Sequence, residues 1–174
     1  MEKLTIRPVL EEEIPALAAM AKEIWEEHFT PIIGSAQVAY MLDKFQSAHA
    51  IREAIQKEGY QYYFFCLDDE AVGYLGIVPK EDGSLFLSKI YLKKAYRGRK
   101  IARAGIEFLA ALCREKGLNK IWLTCNRENK NSVAAYQKMG FVIAYEQDAD
   151  IGNGFVMNDY IMEKQILPES GKSV

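Results

Sequence analysis

The chain has 174 residues and a formal net charge of −2, with 49% of its residues apolar and 26% charged. This size and apolar content fit one domain over residues 1–167 with a frayed tail at 168–174, and the charge excludes a broad attraction for nucleic acid. No apolar run approaches the roughly 20 residues of a membrane span, and the first residues lack a signal-peptide core, so we expect a cytoplasmic protein without a membrane partner.

The N-terminal third predicts one strand followed by three helices. Pro31 and Gly34 are expected to end the first helix. Ser35 and Ser47 are candidate caps of the next two. The predicted elements are a strand at 4–9 and helices at 11–29, 35–45 and 47–58.

From residue 60 the pattern becomes β-prone, with three strands in succession. Acidic residues make the first turn, and Asp82–Gly83 is a strong hairpin signal in the second. The three strands therefore predict an antiparallel meander. They cover residues 60–67, 71–78 and 85–92.

The rest of the chain alternates helices and strands. Gly117 is expected to end a helix that begins at Ile101. A strand, a helix and two strands follow at 120–125, 129–139, 141–146 and 155–164. We predict an α/β (α+β) fold in which a mixed sheet of about seven strands carries helices on both faces.

The three cysteines are far apart and lie in apolar segments, which disfavours a disulfide framework or a zinc site. Reduced thiols packed as small hydrophobic groups are the expectation. The cysteines are Cys66, Cys113 and Cys125.

Residues 93–103, KKAYRGRKIAR, hold six basic residues and no acid, between a strand and a helix. Gly98 permits a tight turn, and the first N–H groups of the helix can complete an anion nest suited to a pyrophosphate. Neither the Walker A nor the dinucleotide fingerprint is present, so nucleotide, coenzyme A and phosphosugar all remain open. A solvated run of charge is the simpler alternative.

A second group of polar residues lies in NRENKNSVAAYQKMGF. In a helix over 129–139, Asn129, Ser132 and Tyr136 share one face. An amide, a hydroxyl and a phenol on one stripe are unlike a core. A packed tyrosine with its hydroxyl at the surface explains Tyr136 equally well, since the chain has ten tyrosines.

These two segments resemble the motifs of the GNAT superfamily of N-acetyltransferases, in the same order and separated by one strand. Residues 97–102 occupy the coenzyme motif (Q/R)-x-x-G-x-(G/A), and Arg97 and Ala102 match it. Lys100 departs from it where glycine is usual, and we expect a helical backbone there. The later motif is matched by Asn129, Ser132, Tyr136, Lys138, Gly140 and Phe141.

The resemblance implies the GNAT fold and an enzyme that uses acetyl-CoA as co-substrate and no metal. An amine would attack the thioester directly in a ternary complex, with a backbone N–H stabilising the oxyanion and Tyr136 protonating the leaving thiolate. The implied coenzyme-binding residues are Ile90, Tyr91, Leu92, Arg97, Gly98, Arg99, Lys100, Ile101, Ala102, Asn129, Ser132 and Lys138.

The acceptor is expected to be a primary amine of a small molecule or a protein. The chain is loosely similar to bacterial polyamine acetyltransferases, and residues 25–40 and a loop at 145–157 are expected to recognise the acceptor. That loop carries Glu146, Asp148 and Asp150, which are equally well explained as solvated charges. The general base is unassigned among Glu26, Glu27, Glu81, Asp148 and water.

Two other classes of function stay open. One is a non-catalytic member of the same fold that senses acyl-CoA or binds a protein partner. The other is a nucleic-acid or phosphoprotein binder, which the lack of aromatic residues interleaved with the basic turn disfavours. A homodimer is the expectation at the level of the superfamily.

Overall fold

The computed structural model describes residues 3–167, so the predicted tail at 168–174 lies outside the described residues. The strands are β1 Leu4–Pro8, β2 Gln61–Leu67, β3 Glu70–Pro79, β4 Ser84–Leu92, β5 Lys120–Asn126, β6 Val142–Gly152 and β7 Phe155–Gln165. The helices are α1 Ile14–Ile33, α2 Ser35–Met41, α3 Ala48–Glu58, α4 Ile101–Lys116 and α5 Lys130–Lys138.

The strands form one seven-stranded sheet in the order β1-β2-β3-β4-β5-β7-β6. The sheet is mixed, because β4 and β5 are parallel whereas β5–β7 and β6–β7 are antiparallel. The predicted α/β class is therefore confirmed. Backbone contacts group the chain into two compact units, Met1–Val78 with Lys89–Ala102 and Pro79–Ser88 with Arg103–Val174. A single domain over 1–167 stays a prediction.

In the first unit, α1 runs four residues beyond its predicted end at residue 29. Pro31 lies in the last turn of the helix, where it removes a single backbone hydrogen bond and so does not stop the helix. The helix ends at Gly34, whose φ of +87° is unsuited to most side chains and whose N–H donates to the Thr30 carbonyl at 3.0 Å. A π-helical turn, Leu42–Gln46, follows α2.

Ser47 caps α3 as predicted, because its Oγ accepts a hydrogen bond from the Ala50 N–H at 3.1 Å. Strands β1, β2 and β3 pair antiparallel, with Leu4 opposite Leu67 and Tyr62 opposite Gly76. The core of this unit combines the buried stripe of α1 with apolar side chains of the strands. Its fully buried members include Leu17, Ile24, Phe65, Tyr74, Leu75 and Ile77.

In the second unit, the parallel contact of β4 and β5 is short and runs from Ser84 opposite Lys120 to Phe86 opposite Trp122. The rings of Phe86 and Trp122 stack with centroids 4.2 Å apart. Helix α4 has the predicted bounds, and Gly117 follows it with φ +72°.

The predicted loop at 145–157 is wrong, because β6 continues to Gly152 and pairs with β7 along its length. Asn153 and Gly154 make the hairpin turn, with φ of +54° and +78°. This is the Asn-Gly signal of a two-residue hairpin, and both residues tolerate positive φ.

The cysteines Cys66, Cys113 and Cys125 are free and buried, as predicted. Among residues 3–167, no group of three or more His, Cys, Asp or Glu side chains is placed to hold a metal ion. Within that same range, the model contains no helix long and apolar enough to cross a membrane.

Candidate active site

The turn between β4 and α4 has the backbone geometry of an anion nest. After a short 3₁₀ turn, Gly98 and Lys100 have φ of +79° and +63°, and α4 begins at the next residue, Ile101. Gly98, Arg99 and Lys100 are all exposed. Residues of alternating handedness turn successive N–H groups towards one side, where they can bind an anion. The predicted helical backbone at Lys100 is therefore wrong.

The basic side chains around this turn are held by its own backbone and rings. Arg97 Nε donates to the Leu92 carbonyl at 3.1 Å, which ties the turn back to the end of β4. The Arg99 guanidinium lies 5.2 Å from the centre of the Tyr96 ring. A Cβ on Gly98 would have no atom within 4 Å, so packing does not require glycine at this position. The positive φ of residue 98 does favour glycine.

The end of β4 lies close to β3 at Gly73. A Cβ on Gly73 would lie 2.5 Å from the Tyr91 carbonyl oxygen and 2.6 Å from Leu92 Cδ2. Only glycine therefore fits at this position without moving β4. Sequence reasoning missed Gly73, since a glycine inside a strand signals only a close backbone approach of some kind.

Aromatic rings surround Tyr91 on the helix side of the first unit. Its ring centroid lies 5.4 Å from Trp25, 5.7 Å from Phe29 and 5.7 Å from Tyr74. Trp25 Nε1 donates to the Tyr74 hydroxyl at 3.1 Å, and that hydroxyl donates to Gln46 Oε1 at 3.2 Å. This chain of hydrogen bonds links α1, β3 and the π-helical turn. The sequence predicted Trp25 and Tyr91 as site residues and missed the other two polar partners.

Lys89 is a buried lysine on β4, two residues before Tyr91. Its Nζ donates to the Tyr62 hydroxyl at 2.8 Å and to the Phe45 carbonyl at 3.4 Å. It also lies 4.8 Å and 5.1 Å from the ring centres of Tyr60 and Tyr62. Burial lowers the pKa of Lys89 to about 8, against an opposing effect of Glu58.

A cavity of about 540 Å³ lies beside α1, α2 and the π-helical turn. Glu26, a candidate base from the sequence, lines it together with Lys22 and Asp43. Of its lining residues, Glu26 and Ala39 fall within the region 25–40 that the sequence predicts to recognise the acceptor. Glu27 and Glu81 are exposed.

In the second unit, Asn129 caps α5. Its Oδ1 accepts from the Ser132 N–H at 3.4 Å, and its side chain is buried, with 7% exposed. The helix itself covers Lys130–Lys138, so the predicted start at 129 is the capping residue. Ser132 is half-buried, and Lys138 is exposed in the last turn of the helix.

Tyr136 is half-buried and packs edge-on against Phe141, with centroids 5.6 Å apart. Burial raises the pKa of the phenol above its usual value, and the Cys125 thiol adds to this effect. The phenol is therefore neutral near pH 7 and able to donate a proton.

Acidic residues of β6 and β7 surround Arg127, which follows β5. Arg127 Nη1 lies 3.3 Å from Glu146 Oε2, and its Nη2 donates to Asp148 Oδ1. Asp159 on β7 is buried, and burial raises its pKa to about 6 while Arg127 lowers it and Asp148 raises it. Sequence reasoning missed Asp159, because its strand pattern gives no sign of the burial of one carboxylate.

The predicted site residues thus fall into two groups. The residues from Ile90 to Ala102 form one continuous segment of the first unit, from the end of β4 to the first turn of α4. Asn129, Ser132 and Tyr136 follow one another along α5 in the second unit.

Known proteins resemble this chain in sequence. A model of the acetyltransferase (GNAT) family matches residues 17–141. An uncharacterized N-acetyltransferase of Mycobacterium tuberculosis (strain ATCC 25618 / H37Rv) is 26% identical over 151 residues, 87% of this chain and 96% of that protein. A spermidine N(1)-acetyltransferase of Thermoplasma acidophilum is 22% identical over 166 residues, 93% of this chain and 97% of that protein.

Solved structures resemble it in fold. The crystal structure of the PaiA N-acetyltransferase from Thermoplasma acidophilum in complex with coenzyme A matches with a TM-score of 0.78 at 21% identity, covering 94% of this chain and 99% of that one. An acetyltransferase from Thermus thermophilus matches with a TM-score of 0.74 at 18% identity, covering 95% and 99%. At these identities the likeness concerns the fold.

Proposed function

The chain belongs to the acetyltransferase (GNAT) family, and from this membership we propose that it transfers the acetyl group of acetyl-CoA to a primary amine by direct attack in a ternary complex. The chain is an acyltransferase. The observation that carries the proposal is the turn from Arg97 to Ile101, where two positive φ angles and a helix start create a nest for the pyrophosphate of the coenzyme.

Each of the two groups of predicted residues is proposed to bind part of the coenzyme. The N–H groups of Arg97 to Ala102 would bind the pyrophosphate, and the β4 residues Ile90, Tyr91 and Leu92 would pair with the pantetheine amides. Asn129 and Ser132 would bind the pantetheine arm from α5, and Lys138 would meet a phosphate. The close approach of Gly73 on β3 to the backbone of Tyr91 and Leu92 supports this arrangement, because it holds the end of β4 in position.

In the proposed reaction, the acceptor nitrogen attacks the acetyl carbon, and a β4 backbone N–H stabilises the oxyanion. The C–S bond then breaks, and Tyr136 donates its proton to the leaving thiolate. The raised pKa of Tyr136 keeps the phenol protonated before the reaction, so a proton is present when the thiolate leaves.

A polyamine is the small-molecule acceptor that we propose, with a protein amine as the alternative. The support is twofold: one relative is a spermidine N(1)-acetyltransferase, and β6 displays Glu146, Asp148 and Asp150. Arg127 neutralises part of this charge by pairing with the first two. Spermidine should therefore be acetylated faster than a monoamine of similar length, and added salt should reduce the difference.

A matched pair of glycine variants tests coenzyme binding. Gly98→Ala and Gly117→Ala each place a side chain at a positive φ, of +79° and +72°, with nothing within 4 Å of the new Cβ. The strain is therefore similar, but only Gly98 lies in the nest. Calorimetry should show a coenzyme A Kd raised roughly 5-fold or more by Gly98→Ala, from about 1 kcal/mol of strain, and unchanged by Gly117→Ala. Absence of coenzyme A binding by the unaltered protein contradicts the proposal.

Thiol release from acetyl-CoA with a panel of amines tests the reaction itself. Binding of coenzyme A without thiol release for any amine or lysine peptide would instead support the alternative, a non-catalytic acyl-CoA sensor or protein-interaction member of the fold. We propose a cytoplasmic location, to which the three free cysteines are suited. We propose that the reaction needs no metal and that the protein has no nucleic-acid or membrane partner.

We also propose a homodimer. Strand β6 lies at the edge of the sheet and is 11 residues long. It exposes 62% of Val142, 39% of Ile143 and 55% of Tyr145. Proteins usually protect an exposed apolar edge, and a second copy would cover the apolar part of β6, residues 142–145, through a two-fold contact.

A further inference from the structure

Asp159 is a carboxylate buried in the middle of the sheet of the second unit. It lies on β7 opposite Asn126 of β5 and Gln147 of β6, and 5% of it is exposed. Aspartate is almost never buried to this degree unless a cation pairs with it. Asp159 forms no ion pair within residues 3–167, so its burial calls for a functional explanation.

Arg127 lowers the pKa of this carboxylate but forms no ion pair with it. Arg127 forms its ion pairs with Glu146 and Asp148, which are 59% and 63% exposed. Burial is the largest cause of the raised pKa of Asp159, at about 6, and Asp148 adds to it while Arg127 opposes it. The carboxylate is therefore ionised at neutral pH, yet close enough to neutrality to exchange a proton.

Asp159 lies beside the connection from β5 to α5, the helix that carries the proposed acid Tyr136. It is opposite Asn126, the last residue of β5, which comes three residues before Asn129, the cap of α5. The Arg127 N–H in this connection donates to the carbonyl of Asn158, the neighbour of Asp159, at 2.9 Å. A pair of titratable groups whose surroundings hold their pKa values apart is typical of an acid and a base.

We propose that Asp159 is the catalytic residue that accepts the proton of the acceptor ammonium, a role that rests on the proposed acetyl transfer. Asp148 and Glu146, the acidic residues on the neighbouring strand β6, are exposed and form ion pairs with Arg127.

In the first step, an N–H bond of the ammonium breaks as an O–H bond forms on Asp159, which leaves a lone pair on nitrogen. That pair forms the N–C bond to the acetyl carbon, and the C–S bond breaks. The thiolate takes the Tyr136 proton, and Tyr136 regains one from the acylated nitrogen. Asp159 passes its proton to water, so that one proton is released per acetyl group transferred.

Asp159→Asn keeps the shape of the side chain and removes the proton acceptor. With an alkylamine, kcat should fall by roughly 10²-fold or more, while the Kd of coenzyme A stays unchanged. The variant has to use amine that is already neutral. Its rate should therefore keep rising with pH up to the pKa of the amine, near about 10.4, and an acceptor of low pKa should restore much of the rate.

The pH profile of kcat/KM separates catalysis from a structural role. The unaltered enzyme should lose activity below about pH 6, the pKa of Asp159, and Asp159→Asn should lack this limb. Asp159→Glu should recover part of both the rate and the limb. Asp69→Asn is the matched control: it removes an exposed carboxylate from the turn between β2 and β3, so the rate and the limb should both be kept.

An Asp159→Asn enzyme with unchanged kcat and an intact acid limb would overturn this role and leave the proposed function standing. Loss of coenzyme binding together with activity would overturn it as well, in favour of a structural role. A lack of thiol release by the unaltered protein with every amine would overturn the proposed function itself, and this role with it.

Discussion

Lys100 has a left-handed backbone conformation in the turn just before α4. The motif usually has glycine there, and the φ of +63° explains why, since a side chain is strained in that conformation. This angle could not be predicted from the sequence. Helix α4 begins at Ile101, and a helix start predicted one residue too early gives Lys100 a helical backbone. Compared with glycine, lysine at this position is strained by the positive φ, but it adds a positive charge to the turn.

Lys100→Gly should tighten coenzyme A binding, because glycine reaches a φ of +63° without strain. The expected fall in Kd is a few-fold, since about 1 kcal/mol of strain is offset in part by the lost charge. Calorimetry at low and high salt measures both contributions. High salt screens the charge of the lysine. If Lys100→Gly still binds coenzyme A more weakly than the unaltered protein there, the lysine side chain itself contacts the coenzyme, and the prediction is wrong.

Tyr136→Phe should lower kcat by roughly 10²-fold or more, because the variant keeps the ring and loses the proton donor. The edge-on contact with Phe141 survives, so the melting temperature and the KM for acetyl-CoA should change little. Steady-state kinetics and a thermal melt of the same preparation measure these quantities. An unaltered kcat would reduce Tyr136 to a packing residue.

At the scale of elements, local signals were enough wherever a helix or strand ends at a residue of special conformation. Gly117 and Ser47 gave the end of α4 and the start of α3 correctly. Pro31 misled, because the loss of its one N–H, which would bond to the carbonyl four residues earlier, does not by itself end a helix. Most of β6 was predicted as a loop, because its acidic and exposed residues read as a turn, whereas pairing with β7 holds them in a strand.

Tyr145→Lys tests whether the β6 edge makes a homodimer. A charge in the centre of an exposed edge strand opposes pairing with a second copy. We expect light scattering to show a dimer for the unaltered protein and a monomer for the variant. Ile55→Lys is the control, since Ile55 is also an exposed apolar residue, at 37%, but lies on α3. A monomer in the unaltered protein contradicts the dimer.

At the scale of the whole molecule, buried titratable groups are what the sequence could not reveal. Nothing in LSKIYL or FVMNDYIM distinguishes Lys89 or Asp159 from a solvated charge, because their burial depends on strands distant in sequence. The two motifs proposed to bind phosphate and amide groups, in contrast, are local sequence patterns. The sequence therefore supplies candidates for the coenzyme residues but gives no sign of the buried titratable groups.

Two carboxylates should change stability with pH in opposite directions. Hydrogen bonds from Arg7 lower the pKa of Glu13 to about 2, so its contribution is present above about 4.5 and is lost as pH falls towards 2. The pKa of Asp159 is raised to about 6 from 3.8, so stability is lost as pH rises between these values. Asp159→Asn should therefore raise the melting temperature at neutral pH, and Glu13→Gln should lower it.

Melting curves taken from about pH 4 to about pH 8 measure both effects. The gain from Asp159→Asn should disappear at the acidic end, where the native carboxyl is already protonated. An equal gain at every pH would mean that packing, and not ionisation, separates the two proteins.

Lys89 has a consequence for covalent labelling of the protein. Its lowered pKa, about 8, leaves more of the neutral, nucleophilic amine at physiological pH than an ordinary lysine has. Yet Tyr60, Tyr62 and the Phe45 carbonyl enclose that nitrogen. An acylating reagent can reach this nitrogen only when this part of the sheet opens. The rate at which Lys89 is labelled therefore reports local unfolding, whereas exposed lysines are labelled without it.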